Sequence, residues 1–181
     1  MPSARERILD SYEELLATDG ERHATMDAVA QRAGVSKGGL IYHFPSKEKM
    51  VDAVCDRLTE LVANDVEQMR SSDEGAARYY IRTSYYEGTP LDRAMVAVSR
   101  LLQSEYPRAR QTYDAMGKAW QQALIDDLGD PAIARTVKLV GDGLYYDAMF
   151  TAGGDPAMAA RRHSDADTAA VLAVVDRITG R

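Results

Sequence analysis

Ser36-Lys37-Gly38-Gly39 sets a hydroxyl, a cation and two residues without side chains in succession, a combination suited to meeting a polyanion at close range. Lys37 can reach a phosphate or the acceptor edge of guanine, and Gly38 and Gly39 let the backbone come near. Two glycines cost a short helix about 2 kcal/mol relative to alanine, which close approach would offset. Thr25, Tyr42, His43 and Lys47 flank this stretch with groups that bind phosphate oxygens, and a helix starting at Lys47 would add its partly positive amide end. Catalytic groupings are missing from the sequence. The histidines are His23, His43 and His163, and there is no HExxH, ExxH or CxxC and no phosphate-cradling glycine loop. No catalytic residue, metal or cofactor is therefore expected. Cys55, the one cysteine, falls on the apolar side of a helix and reads as an inert buried thiol, and Asp126-Asp127 reads as a solvated helix end.

The elements that must hold these residues are helices, because apolar residues recur with helical spacing and no alternating strand pattern is found. Ile8, Leu9, Tyr12, Leu15 and Leu16 make one stripe over 4–18, closed by Asp19-Gly20. Thr25 caps a helix over 26–33, Gly34 turns the chain, and Ser36 caps a third helix to about 42. The pair forms a helix-turn-helix whose seam is filled by Ala30, Val35 and Leu40. After Phe44-Pro45-Ser46 a long helix spans 47–70, and further helices are expected over 74–87, 91–104, 107–128, 131–151 and 166–179. Pro90, Pro107 and Pro131 sit at helix starts, where a missing amide costs nothing. Residues 152–165 read as the longest loop. The fold expected is all-α, about nine helices, with a helix-turn-helix domain over 1–46 and a helical domain over 47–181 in which 47–70 is the connector.

Charge divides the same way. The chain of 181 residues carries a net −6, yet residues 22–49 hold five cations (Arg22, Arg32, Lys37, Lys47, Lys49) against two anions (Asp27, Glu48), a net of +3 that leaves −9 elsewhere. One cysteine, no apolar leader and no apolar run near the 18 residues of a span argue for a cytoplasmic protein without a membrane partner.

Residues 25–50, reading TMDAVAQRAGVSKGGLIYHFPSKEKM, resemble the amino-terminal DNA-binding domain of the TetR family of transcriptional regulators. The resemblance covers about the first 50 residues and implies phosphate or base contacts from Thr25, Ser36, Lys37, Gly38, Gly39, Tyr42, His43 and Lys47. Ile41 departs from the tyrosine many members carry there, which removes one phosphate contact. The resemblance further implies a helical body that binds a small molecule and forms a homodimer through the last two helices, together reading palindromic operator DNA.

Periodicity supports a body of that kind. Ile133, Val137, Val140, Leu144 and Ala148, with Ala170, Leu172, Val174, Val175 and Ile178, offer apolar faces for dimerisation, and Gly141 and Gly143 permit close crossing. Eight of the 10 tyrosines and the one tryptophan lie from residue 79 onward. Tyr79, Tyr86, Met95, Tyr113, Met116, Trp120, Tyr146 and Met149 are candidates to line a site for a flat, greasy molecule, although such residues also build ordinary cores. The expected function is a ligand-responsive repressor released from its operator by a small molecule. The alternative is a helical small-molecule-binding or scaffolding protein without operator recognition.

Overall fold

The computed structural model describes residues 2–151 and 165–180. Among them are nine helices and no strand: α1 (Ala4–Thr18), α2 (Met26–Ala33), α3 (Lys37–His43), α4 (Lys47–Ser71), α5 (Ala76–Thr83), α6 (Pro90–Leu101), α7 (Pro107–Leu128), α8 (Pro131–Thr151) and α9 (Asp165–Thr179). The loop expected over 152–165 falls almost wholly, with His163, outside the described residues. None of the described helices is long and apolar enough to cross a membrane. The chain forms two compact units, Met1–Leu61 with Pro90–Ala115, and Val62–Thr89 with Met116–Arg181.

In the first unit, Ser3 starts α1 with a capping box: its hydroxyl accepts from the Glu6 amide, and Glu6 returns the bond to the Ser3 amide. The expected stripe of Ile8, Leu9, Tyr12, Leu15 and Leu16 is buried, and α1 packs on α2, α3 and α6. Leu40 from α3, Phe44, and Met50, Val51, Val54 and Leu58 from α4 complete the core. Two carboxylates lie inside this unit, Glu13 of α1 and Asp92 of α6, the latter 4% exposed. Glu13 is 3% exposed, and Arg57 of α4 reaches both it (3.1 Å) and Asp10 (2.6 Å). Burial outweighs the attraction of Arg57 and pushes the Glu13 carboxyl up to about 7. Cys55 is buried as expected, and burial raises its thiol.

In the second unit, α5 begins after Gly75, whose φ of 84° only glycine holds without strain. Gly75 has no side chain to cap the helix, so Asp127 of α7 accepts from the Ala77 amide (3.4 Å), while Asp126 pairs with Arg70 (3.1 Å). These two aspartates thus tie elements together, where the sequence suggested a solvated end. The expected helix over 74–87 stops at Thr83 because Ser84 turns out of the helix and its hydroxyl donates back to the Tyr80 carbonyl. Likewise α6 stops at Leu101, where the Ser104 amide turns back onto the Leu101 carbonyl. Pro90, Pro107 and Pro131 each open a helix, as their fixed φ and missing amide favour. Gly141 of α8 is required by packing within the chain: a Cβ there would lie 2.5 Å from the Tyr80 ring and 2.7 Å from the Ser84 hydroxyl.

Candidate functional site

The turn between α2 and α3 is built by local chemistry. The Thr25 hydroxyl accepts from the Ala28 amide (3.2 Å) to start α2. Gly34 ends α2 at φ 65° and ψ 36°, the left-handed conformation that glycine takes without a Cβ penalty. Ser36 then accepts from the Gly39 amide (3.0 Å) and starts α3. Thr25 and Ser36 are exposed but spend their hydroxyl oxygens on caps, so they hold the turn as well as flanking its surface. The two glycines differ. A Cβ on Gly39 would sit 3.3 Å from the Ser36 hydroxyl, so the cap itself favours glycine, whereas a Cβ on Gly38 would meet nothing within 4 Å. Packing within this chain gives no reason for glycine at 38.

Lys37 stands exposed at the leading end of α3, its ammonium 2.9 Å from Asp27. Tyr42 is 83% exposed and meets the half-buried His43 edge to face at 5.1 Å. Ile41 is exposed beside them. Lys47 is placed differently. Its ammonium is held by the Glu21 carboxylate (2.6 Å) and the Glu21 carbonyl (2.8 Å), with both side chains 22% exposed. The Lys47 hydrogen bond holds the Glu21 carboxyl below its ordinary range. The segment charge of +3 is masked in the same manner: Arg32 pairs with Glu14 (2.7 Å), Lys37 with Asp27, Lys47 with Glu21 and Lys49 with Asp52 (3.0 Å). Glu14, Glu21 and Asp52 lie just outside residues 22–49, so a count along the sequence leaves them out.

The residues expected to line a ligand site divide between the two units. Met95 and Tyr113 belong to the first, and Tyr79, Tyr86, Met116, Trp120, Tyr146 and Met149 to the second. Within the second unit, Tyr79 and Trp120 converge on Asp65 of α4: the indole N–H donates to one carboxylate oxygen (2.7 Å) and the Tyr79 hydroxyl to the other (3.0 Å). Burial raises the Asp65 carboxyl above its ordinary range. Tyr80 lies against Trp120 with ring centres 6.0 Å apart, and its hydroxyl donates to Asp142 (2.7 Å), which the buried Lys138 also binds (2.7 Å). A second aromatic group forms elsewhere in this unit. Tyr146 stacks on Phe150 (6.0 Å) and meets Tyr145 edge-on, and Tyr145 in turn meets Tyr86. Met116 is buried and Met149 half-buried. Sequence reasoning missed Asp65 and Tyr80. The signal for Asp65 was present, since Leu58, Val62, Asp65 and Met69 follow one helical stripe in which a carboxylate is out of place. No group of three His, Cys, Asp or Glu residues able to hold a metal occurs among the described residues.

Comparison with known proteins agrees with this architecture. Residues 8–54 match the family model of the bacterial regulatory proteins of the tetR family, and residues 74–173, more than half of the chain, match the tetracyclin repressor-like C-terminal domain. A 61-residue stretch is 41% identical to the nucleoid occlusion factor SlmA of Marinobacter nauticus, covering 34% of this chain and 31% of that protein. Over 96 residues the chain is 30% identical to the HTH-type transcriptional repressor KstR2 of Rhodococcus jostii, covering 52% of this chain and 47% of that one. The matched part thus spans less than half the length of either relative. Among solved structures, multidrug binding protein EbrR complexed with malachite green superposes with a TM-score of 0.68 at 20% identity over 98% of both chains. GusR of Salmonella enterica gives 0.66 at 16% identity over 98% of this chain and 96% of its own. At these identities the likeness is one of fold.

Proposed function

The chain belongs to the TetR family of bacterial regulatory proteins, which are DNA-binding transcriptional regulators rather than enzymes, and on that premise we propose that it is a ligand-responsive repressor. In this reading a homodimer acting in the cytoplasm binds a palindromic operator, and a small molecule in the carboxy-terminal body releases it. The observation that carries the reading is the leading end of α3, where Lys37 is exposed and Gly38 faces open space with no packing reason for its glycine. An exposed cation followed by bare backbone suits a helix whose amino-terminal end enters the major groove. Thr25, Ser36, Gly39, Tyr42, His43 and Lys47 are the proposed flanking contacts. For Lys47 this requires exchanging Glu21 for a phosphate.

Two further observations support the rest. Leu139, Gly143, Tyr146 and Phe150 follow one stripe of α8, of which Leu139 and Phe150 are exposed and Gly143 has open space at its Cβ position. Val174 and Ile178 are exposed one turn apart on α9. Apolar side chains in water around a glycine suit close crossing with the same helices of a second copy. Val137, Ala148, Leu172 and Val175, expected on that face, are instead buried within the chain's own core. For the ligand, the body carries the Tyr79, Tyr80 and Trp120 group, and structural neighbours include a multidrug binding protein and a SmeT–triclosan complex.

A shift assay with DNA from upstream of its own coding region, run over a salt series, tests the proposal. A specific, salt-dependent complex is expected, and Lys37→Ala should weaken it by about 1–3 kcal/mol while leaving the dimer intact on size exclusion. No specific shift at any salt overturns the proposal and leaves the non-operator alternative. A Lys37→Ala variant that runs as a monomer would show Lys37 to be structural.

A further inference from the structure

We propose that the effector is an organic cation with a flat apolar body, and that Asp65 between Tyr79, Tyr80 and Trp120 is the group that selects its charge. The inference rests on the ligand-responsive reading above and names the ligand class.

The argument begins with two carboxylates in one unit that are treated differently. Asp142 accepts from the Tyr80 hydroxyl and is also neutralised by the Lys138 ammonium at 2.7 Å. Asp65 accepts from the Tyr79 hydroxyl and the Trp120 indole, both uncharged, and no cation pairs with it among the described residues. The cations nearest in kind are committed elsewhere: Arg70 to Asp126, Arg78 to Asp176 and Arg82 to Glu74. Neutral donors orient a carboxylate without cancelling its charge. A carboxylate has about four acceptor positions, and two hydrogen bonds leave about half of them unspent. Half-buried in the apolar stripe of α4, such a group is costly in proportion to its burial unless something completes it.

What surrounds Asp65 also favours a cation. Tyr79, Tyr80 and Trp120 are each at most 9% exposed, and their ring faces attract positive charge. One of them already does so, since the Arg82 guanidinium lies 5.7 Å from the centre of the Tyr79 ring. Room exists on the same helix face as Trp120. Gly117 precedes it by one turn of α7, and a Cβ there would meet nothing within 4 Å. A carboxylate with no cation paired to it, aromatic faces and open space at Gly117, one turn from Trp120, together describe a site for a delocalised or quaternary cation.

The chain holds a single tryptophan, so quenching of its fluorescence reports binding beside Trp120 directly. The probes are 1-methylquinolinium and quinoline, which have similar shape, the second being uncharged at neutral pH. The full-length wild-type protein is expected to bind the cation about tenfold more tightly than quinoline. Asp65→Asn keeps the size and one acceptor oxygen, and should bring the two probes to similar affinity with quinoline unchanged. Equal affinities in the wild type, quenching by neither probe, or a preference that survives in a folded Asp65→Asn variant would each overturn the inference. The wild-type comparison decides the matter even if the variant does not fold. Adding the operator shift assay separates this inference from the reading beneath it. Release of DNA by quinoline and the cation alike keeps the ligand-responsive reading and sinks the cation site, whereas Asp65-dependent binding that never releases DNA does the reverse.

Discussion

The two units place their exposed hydrocarbon on different kinds of element. The first buries Ile8, Leu16, Val29, Leu40, Met50 and Leu58 completely or nearly so, encloses the carboxylates of Glu13 and Asp92, and leaves Ile41 and Tyr42 exposed on α3. The second encloses Lys138 with Asp142 and holds Asp65 among aromatic rings, yet leaves Leu139, Phe150, Val174 and Ile178 in water. The α2–α3 turn that the first unit carries is fixed by its own caps, Thr25 and Ser36. The exposed apolar side chains of the second unit lie instead on α8 and α9. The contrast teaches that a short surface turn set by local caps and a long apolar helix surface are built here by different means.

The largest test of that contrast is a single methyl group. Gly141→Ala would drive a Cβ against the Tyr80 ring, which is held at its other points by Asp142 and Trp120 and so cannot retreat freely. Overpacking of this kind costs about 1–3 kcal/mol, which lowers the melting temperature by roughly 2–4 °C per kcal/mol in a chain of this size. The α2–α3 turn belongs to the other unit and should keep its structure. A thermal melt by circular dichroism that matches the wild type would show that Tyr80 is not seated as described.

A second test concerns Glu13, a carboxylate inside the first unit. Burial raises the Glu13 carboxyl from 4.5 to about 7, with Arg57, Asp10 and Arg93 as the charges facing it. Its folded pKa is raised, so between those values the folded state holds a proton that the unfolded state has lost. Stability contributed by the neutral form is therefore full below about 4.5 and is lost as the pH rises to about 7. Glu13→Gln removes this dependence. The variant is expected to gain roughly 2 kcal/mol on the wild type between mildly acidic and mildly alkaline pH in urea denaturation. Parallel stability curves for the two proteins would place the titration elsewhere.

Much of the first unit was legible in the sequence because its determinants are local. Thr25, Gly34 and Ser36 act within three residues of themselves, and the α1 stripe needs only the helical period. The three prolines marked helix starts for the same reason. What escaped depends on partners far along the chain. Lys47 meets Glu21 across 26 residues, Trp120 meets Asp65 across 55, and Tyr80 meets Asp142 across 62. Gly141 read as a crossing point for a second copy, and its observed neighbour is Tyr80 of the same chain. The aromatic residues of the body show the same limit. Helical spacing brought Tyr79 and Trp120 into one list with Met95 and Tyr113, and only the tertiary fold assigns them to different units.

The smallest expected effect sharpens the contrast most, because it asks whether the first unit's charge is available at all. Lys47 lies at the start of α4, but Glu21 holds it through both carboxylate and carbonyl, and the Tyr106 hydroxyl approaches the same carboxylate at 3.4 Å. Glu21→Gln keeps the carbonyl and the shape of the side chain while removing the competing charge. A partly exposed pair of this kind is worth about 1 kcal/mol or less, so the fold should survive. If Lys47 exchanges Glu21 for a phosphate on binding, the variant binds DNA a few-fold more tightly. Its affinity also falls more steeply with salt, by up to about one unit of the logarithmic slope, since each phosphate neutralised adds about 0.9. If Lys47 serves only to fasten α4 to the α1–α2 loop, the slope stays as in the wild type and only stability falls. An unchanged slope would therefore remove Lys47 from the DNA face and leave Lys37 as the principal cation there.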